Sequence, residues 1–565
     1  MHRYGRVVLN GNSLAIDDVV RVARERRAVL LSKESIHNIE RSRDVLEHFV
    51  HGGKTIYGVT TGFGALSNTR ITMGQAAQLQ TNLLRSHATG VGECLSTDIL
   101  RAMMLLRLNT LAKGFSGVRV IVAKTLQSFL NARIHPMVPA NGSVGASGDL
   151  APLAHMALSL IGEGDVELQG KIVPAIEALR RVKIPPIKLT MKEGLALTNG
   201  TQMSSATAVL LVHDSSQLLK IADTATAMSL EALRGFVQPF DARIHRVRPF
   251  KGQKDSAHNI RLLIERSKLV RDKAAGKDEP VQDAYSIRCS PQILGSAREA
   301  VGFARKIVET EINSASDNPL VFPSAVMSGG NFHGQIVGLS VDLVSIALAT
   351  VSNLSERHAF RLLTPVLNNG LPPFLVGSLE GQGLSSGLMV TQYTAAALAS
   401  ENKVLAHPAT VDTIPTSGDM EDFVSMSAHA ELKCRKIIQN ARRILAIELI
   451  CAAQGLDFRG PKKCGKGTKT AHKEIRTKVD TLREDRSMSA NIERLQASFR
   501  MGVFLRLWNV KSDSCVKLGN GVEPHLVGSN PTGSTIRGTI EEFWMKPGSW
   551  ANDRAGQLTN RCFLR

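Results

Sequence analysis

Ala146-Ser147-Gly148 places a serine between two small residues, directly before a helix start at Asp149-Leu150. Asp149 suits an N-cap and Pro152 falls in the first turn. By itself the tripeptide carries little, since average residue usage yields it in roughly a fifth of chains this long. Other runs hold groups that could bind or move protons. Tyr57 opens a glycine-rich loop ending at Gly64, which lacks the Gly-x-Gly-x-x-Gly order and terminal lysine of a phosphate cradle. Asn199-Gly200 alone would be a turn. Tyr285 and Arg288, three apart on a helix, would ordinarily be a packing pair. Gly460 to Gly467 approaches the Walker pattern, but Gly467 replaces the Ser or Thr that would hold Mg²⁺, and the run follows a helix. A solvated basic turn is the better reading there.

Taken together and in order, these runs resemble the histidine and phenylalanine ammonia-lyase family, over about residues 2–500. In that family the Ala-Ser-Gly backbone closes on itself and loses water to give 4-methylidene-imidazol-5-one, so the resemblance implies no external cofactor and no metal. The residue types suit the closure. Gly148 has no Cβ, Ala146 is small, and the Cβ of Ser147 becomes the electrophilic methylidene. The helix beginning beyond it offers a partial positive charge to a developing enolate. The resemblance further implies Tyr57 as catalytic base and Asn199 as a contact of the prosthetic group. Tyr285 and Gln282 would orient the substrate, Arg288 would hold its carboxylate, and Phe332 would pack against the prosthetic group. It also implies a homotetramer in which three subunits contribute to each site.

The reaction implied is non-oxidative loss of ammonia from an α-amino acid. His87, in a Ser86-His87 pair, and Glu421 point to L-histidine, converted to trans-urocanate. An imidazole needs polar partners, and a phenyl ring would leave both groups unpaired. Asp419-Met420 and Phe423 depart from the usual histidine pattern, where Asn-Gln and His are expected. A tyrosine ammonia-lyase or aminomutase of the same family is the alternative.

The elements that must position these residues read as mainly α: a long-helix bundle with a smaller N-terminal domain carrying the active-site loops. Apolar residues recur three and four apart over 202–234, 336–363 and 428–454, with Gly235 and Gly455 as expected ends. Residues 6–17 read as a strand and turn, 16–50 as helices, and 165–174 as a hairpin turning at Gln169-Gly170. The expected division is 1–200, 201–500 and an atypical tail, 501–565. All three tryptophans (508, 544, 550) lie in that tail, which is turn-rich and expected to be poorly packed.

Composition bounds the remaining classes. Hydrophobic residues make up 43% of the 565, enough to exclude general disorder. The formal net charge of +19 invites nucleic acid as a partner, but aromatic residues are only 4%, so stacking platforms are scarce. A basic nucleic-acid-binding protein is therefore the remote alternative. Seven scattered cysteines without a Cys-x-x-Cys pair argue for reduced thiols and against zinc. With no apolar leader in the first residues and no uninterrupted apolar run of ~18 residues, a cytoplasmic protein is expected.

Overall fold

Three helices of 29 to 33 residues set the architecture: Gln202–Ala232, Gln335–Leu363 and Ser427–Arg459. They pack on one another and on Ser290–Glu311 and Met389–Leu405. The computed structural model describes residues 5–272, 281–377 and 383–500, and the tail at 501–565 lies outside them. All described residues belong to one unit, Met1–Val510.

The long helices are buried on most sides, which is why their sequences show no single polar face. Among the described residues the second, Gln335–Leu363, is the one long and apolar enough to cross a membrane. It packs among the other two and the Ser290–Glu311 helix. Two expected caps turn out differently. The third long helix runs through Gly455 to Arg459, and a Cβ at Gly455 would stand 3.1 Å from that of Ala232. That glycine permits close helix approach instead of ending a helix. At the end of the first, Arg234 takes the left-handed conformation (φ +54°), while the Gly235 amide donates to the Leu230 carbonyl.

The N-terminal part lays Thr97–Ala112 against the first long helix and carries small sheets. Val7–Leu9 pairs in parallel with Val29–Leu31, a strand inside a segment read as helical. Three residues are too few for a period to register. Asp165–Leu168 and Lys171–Pro174 form the expected hairpin, Leu168 opposite Lys171, with Gln169 and Gly170 both at positive φ. Val91–Cys94 pairs antiparallel with Pro139–Asn141.

Candidate active site

Gly148 lies where two helix starts converge. Leu150–Leu160 begins two residues on, and Gln202–Ala232 begins just after Asn199-Gly200. The two loops are tied by their backbones: the Asp149 amide donates to the Gly200 carbonyl (2.8 Å) and the Gly200 amide to that of Ser147 (3.3 Å). Gly148 has φ +72°, and a Cβ there would stand 2.2 Å from the Gly200 oxygen. Glycine is required on both counts. Both helix N-termini therefore place positive partial charge beside Ser147.

Asp149 stands at the N-cap position but does not cap. Its carboxylate accepts from the Ser204 amide (2.8 Å), the Ser204 hydroxyl (2.9 Å) and Ser143 (3.1 Å). The first turn of the first long helix outcompetes its own helix for the carboxylate. Burial raises the Asp149 pKa against these donors. Below Asn199 lies Arg107, fully buried, donating to the carbonyls of Ala196 (2.9 Å) and Asn199 (2.5 Å) and to the Gln202 side chain. Burial pushes its pKa down to about 10, with Asp317 and Asp149 opposing. The Asn199 side-chain oxygen is buried without a partner.

Above the loop, residues 424–427 close down. Ser425 donates to the Gly145 carbonyl (3.0 Å) and the Met426 amide to that of Val144 (2.9 Å). Ala146 packs with Ala409, Val424, Met426 and Ala430. Glu421 reaches the tripeptide directly: its Oε1 accepts from Ser147 Oγ at 2.6 Å, and its Oε2 from Thr416 Oγ1 at 2.8 Å. His87, at the end of Ala76–His87, is half-buried. Its pKa is lowered by burial, against the Leu83 carbonyl and the Glu421 charge, which raise it. The Tyr57 loop meets the same segment, since a Cβ on Gly64 would touch Ser417 Oγ. The Tyr57 phenol oxygen accepts from the Gly64 amide (3.1 Å), and its ring stands edge-on to Phe63. Phe332 is half-buried between Asn331 and His333. The His333 ring bonds the Phe423 carbonyl (3.2 Å), and Gly334 abuts Ser425 and Ser427.

Thus Ser147, Gly148, Asn199, Glu421, His87, Tyr57 and the Phe332 turn gather around one loop. Gln282, Tyr285 and Arg288 line a separate pocket with Phe236, Pro239 and Ile244. There Arg288 donates to Gln282 (2.6 Å) and stacks on the Tyr285 ring, which is 71% exposed. Sequence reasoning missed Arg107 and the Ser204-Ser427 hydroxyl pair (3.0 Å), whose partners lie far along the chain. An arginine within the largely apolar run of Thr97–Ala112 was the available signal.

The family profile described as aromatic amino acid lyase matches residues 14–477. The chain is 48% identical over 489 residues to the histidine ammonia-lyase of Caldanaerobacter subterraneus, covering 86% of this chain and 95% of that protein. Two solved structures are similar across 90% of this chain. Tyrosine aminomutase from Streptomyces globisporus, 99% covered, has a TM-score of 0.86 at 38% identity. Histidine ammonia-lyase from Trypanosoma cruzi, 95% covered, has a TM-score of 0.82 at 39%. With its helical fold and the loop around Ser147, the chain belongs to the aromatic amino acid lyase family.

Proposed function

We propose that this protein removes ammonia from L-histidine to give trans-urocanate, using 4-methylidene-imidazol-5-one built from Ala146, Ser147 and Gly148. The residues present fit that group. Gly148 admits no Cβ, Ala146 is small and enclosed, and the Asn199 side chain offers a buried atom without a partner. Once formed, the group supplies an electrophilic carbon at which an amine becomes a better leaving group. The two helix N-termini and Asn199 would hold it.

The observation that carries histidine is Glu421 on Ser147 Oγ. Forming the group removes that hydroxyl and leaves the carboxylate oxygen to accept an imidazole N–H, with His87 facing it. Tyr57 takes the β-proton at its phenol oxygen, which the Gly64 amide holds in place. Arg288 binds the substrate carboxylate with two parallel donors, while Tyr285 and Gln282 orient it.

The separate pocket around Arg288 supports sites shared between copies of the chain. The second long helix also shows an exposed apolar stripe, Ile336, Leu339, Leu343 and Ile346, suited to a homotetramer. The five cysteines among the described residues are free thiols, which suits the cytosol.

Tyrosine is the second reading, favoured by the likeness to tyrosine aminomutase and by Phe423 in place of the histidine-type residue. The test is the specificity constant for histidine, tyrosine and phenylalanine in wild type and Glu421→Gln. Histidine is expected to lead, and Glu421→Gln to lose its preference. A tenfold lead for tyrosine in the wild type rejects the histidine assignment.

A further inference from the structure

Tyr285–Arg288 is a helix of one turn with an exposed tyrosine, and something must hold it. The tie comes from the bundle core. His358, on the second long helix, is fully buried, with Nε2 2.7 Å from the Ser286 carbonyl and Nδ1 2.7 Å from Glu448 Oε1 on the third. Ser229, on the first, donates to the same Glu448 oxygen (2.9 Å). A carbonyl has no proton to give, so Nε2 carries one. An ionised carboxylate has no proton to give either, so Nδ1 carries the other. All three long helices therefore meet at one buried imidazolium–carboxylate pair. Its outward end is the backbone carbonyl between Tyr285 and Arg288.

We propose that His358 is a positioning residue for substrate carboxylate binding, fixing the Tyr285–Arg288 turn to the bundle through the Ser286 carbonyl. This rests on the reading of Arg288 given above. Several charged or titratable groups face the pair. Burial lowers the His358 pKa. The charge and hydrogen bond of Glu448 and the bond to Ser286 outweigh it, with Arg361 opposing, so the value is raised. Cys451, near Glu448, is neutral because burial pushes its thiol up to about 12. Asp283, just before the turn, is raised by burial against the Phe236 amide and Arg271, Arg361 and Arg288. A histidine whose pKa is raised on folding keeps its tie in full below the ordinary histidine value. As pH climbs through the raised value one proton leaves, the other stays on Nδ1 against the Glu448 carboxylate, and Nε2 no longer donates to Ser286.

The experiment measures KM and kcat for L-histidine against pH in full-length wild type, H358L, E448Q and R288A, with thermal melts for each. Wild-type KM should climb roughly tenfold on the alkaline side while kcat moves less. H358L should show the raised KM already at neutral pH. E448Q retains a neutral tie, with imidazole Nε2–H on Ser286 and the new amide donating to Nδ1, so its alkaline climb should vanish. Ionisation of the substrate is common to all variants and cancels in the comparison. A folded H358L with wild-type KM overturns the proposal, as does an E448Q profile superimposed on wild type. If H358L does not fold, the E448Q profile decides alone. R288A distinguishes the underlying reading: unchanged KM in R288A rejects both, whereas raised KM beside wild-type behaviour in H358L and E448Q rejects the tie alone.

Discussion

The two regions proposed to carry the chemistry are built in opposite ways. Around Ser147 the polar groups are enclosed and bonded to one another: Asp149 to Ser204, Arg107 to Asn199, Glu421 to Ser147. Around Arg288 the groups face outward, with Tyr285 exposed and a single side-chain bond from Arg288 to Gln282. A loop proposed to close on itself would need a rigid cradle before any substrate arrives. The proposed carboxylate clamp would need only to be presented, and it could serve a site whose cradle lies elsewhere. The contrast supports one half prepared for chemistry on the chain itself and another prepared for a neighbouring copy.

The largest effect should come from the enclosed half. Ser147→Ala is expected to melt like wild type and to lose activity by a factor of about 10³ or more. Peptide mapping of wild type should find two waters missing from residues 146–148, and an intact tripeptide in active enzyme rejects the mechanism. Next in size is a test of sharing. Tyr57→Phe should be nearly inactive and Arg288→Ala nearly so at low substrate, through its raised KM, and subunits exchanged between them should recover part of the activity. No recovery after verified exchange means that both halves serve one chain.

Two arginines sharpen the comparison through stability. Arg107→Met removes a buried guanidinium and leaves the Ala196 and Asn199 carbonyls unpaired, a loss of about 3–5 kcal/mol. Arg288→Ala, half-buried and stacked on an exposed ring, should cost under about 1 kcal/mol. Urea titrations of the two variants check this, and equal losses would remove the distinction between the halves.

How much of this could be read beforehand follows the range of the interactions. The long helices were legible because their apolar period repeats over eight or nine turns, and observed ends fall within a few residues of those expected. The motif runs at Tyr57, Ser147 and Arg288 were legible as contiguous residues. The Ser147–Glu421 bond spans 274 positions, and nothing in local spacing reports it. Asp149 was misassigned as a cap for the same reason, its stronger donors lying 55 residues away in Ser204. Gly455 looked like an end because a glycine after a periodic run usually is one. Only the approach of the first long helix shows that it is a contact.

The smallest expected effect is the pH response that separates the halves. In the enclosed half, His155 Nε2 accepts the Gly90 amide (3.1 Å) beside the His87 loop, so that nitrogen is unprotonated. Burial lowers the pKa of His155, and it lowers that of His87 against the pull of Leu83 and Glu421. Below the ordinary histidine value, about 6.5, the unfolded chain then binds more protons than the native one. Stability carried by these two groups is present at neutral pH and is lost as pH falls. The pKa of His358, in the bundle core behind the Arg288 turn, is raised, and its contribution is lost only as pH rises. Acidification should therefore lower the melting temperature through the Ser147 half while leaving the His358 tie intact. His155→Gln, whose amide oxygen can still accept from Gly90 but cannot be protonated, should show a shallower fall in melting temperature from pH 7 to 5. A fall as steep as in wild type would show that His155 does not carry the acid sensitivity.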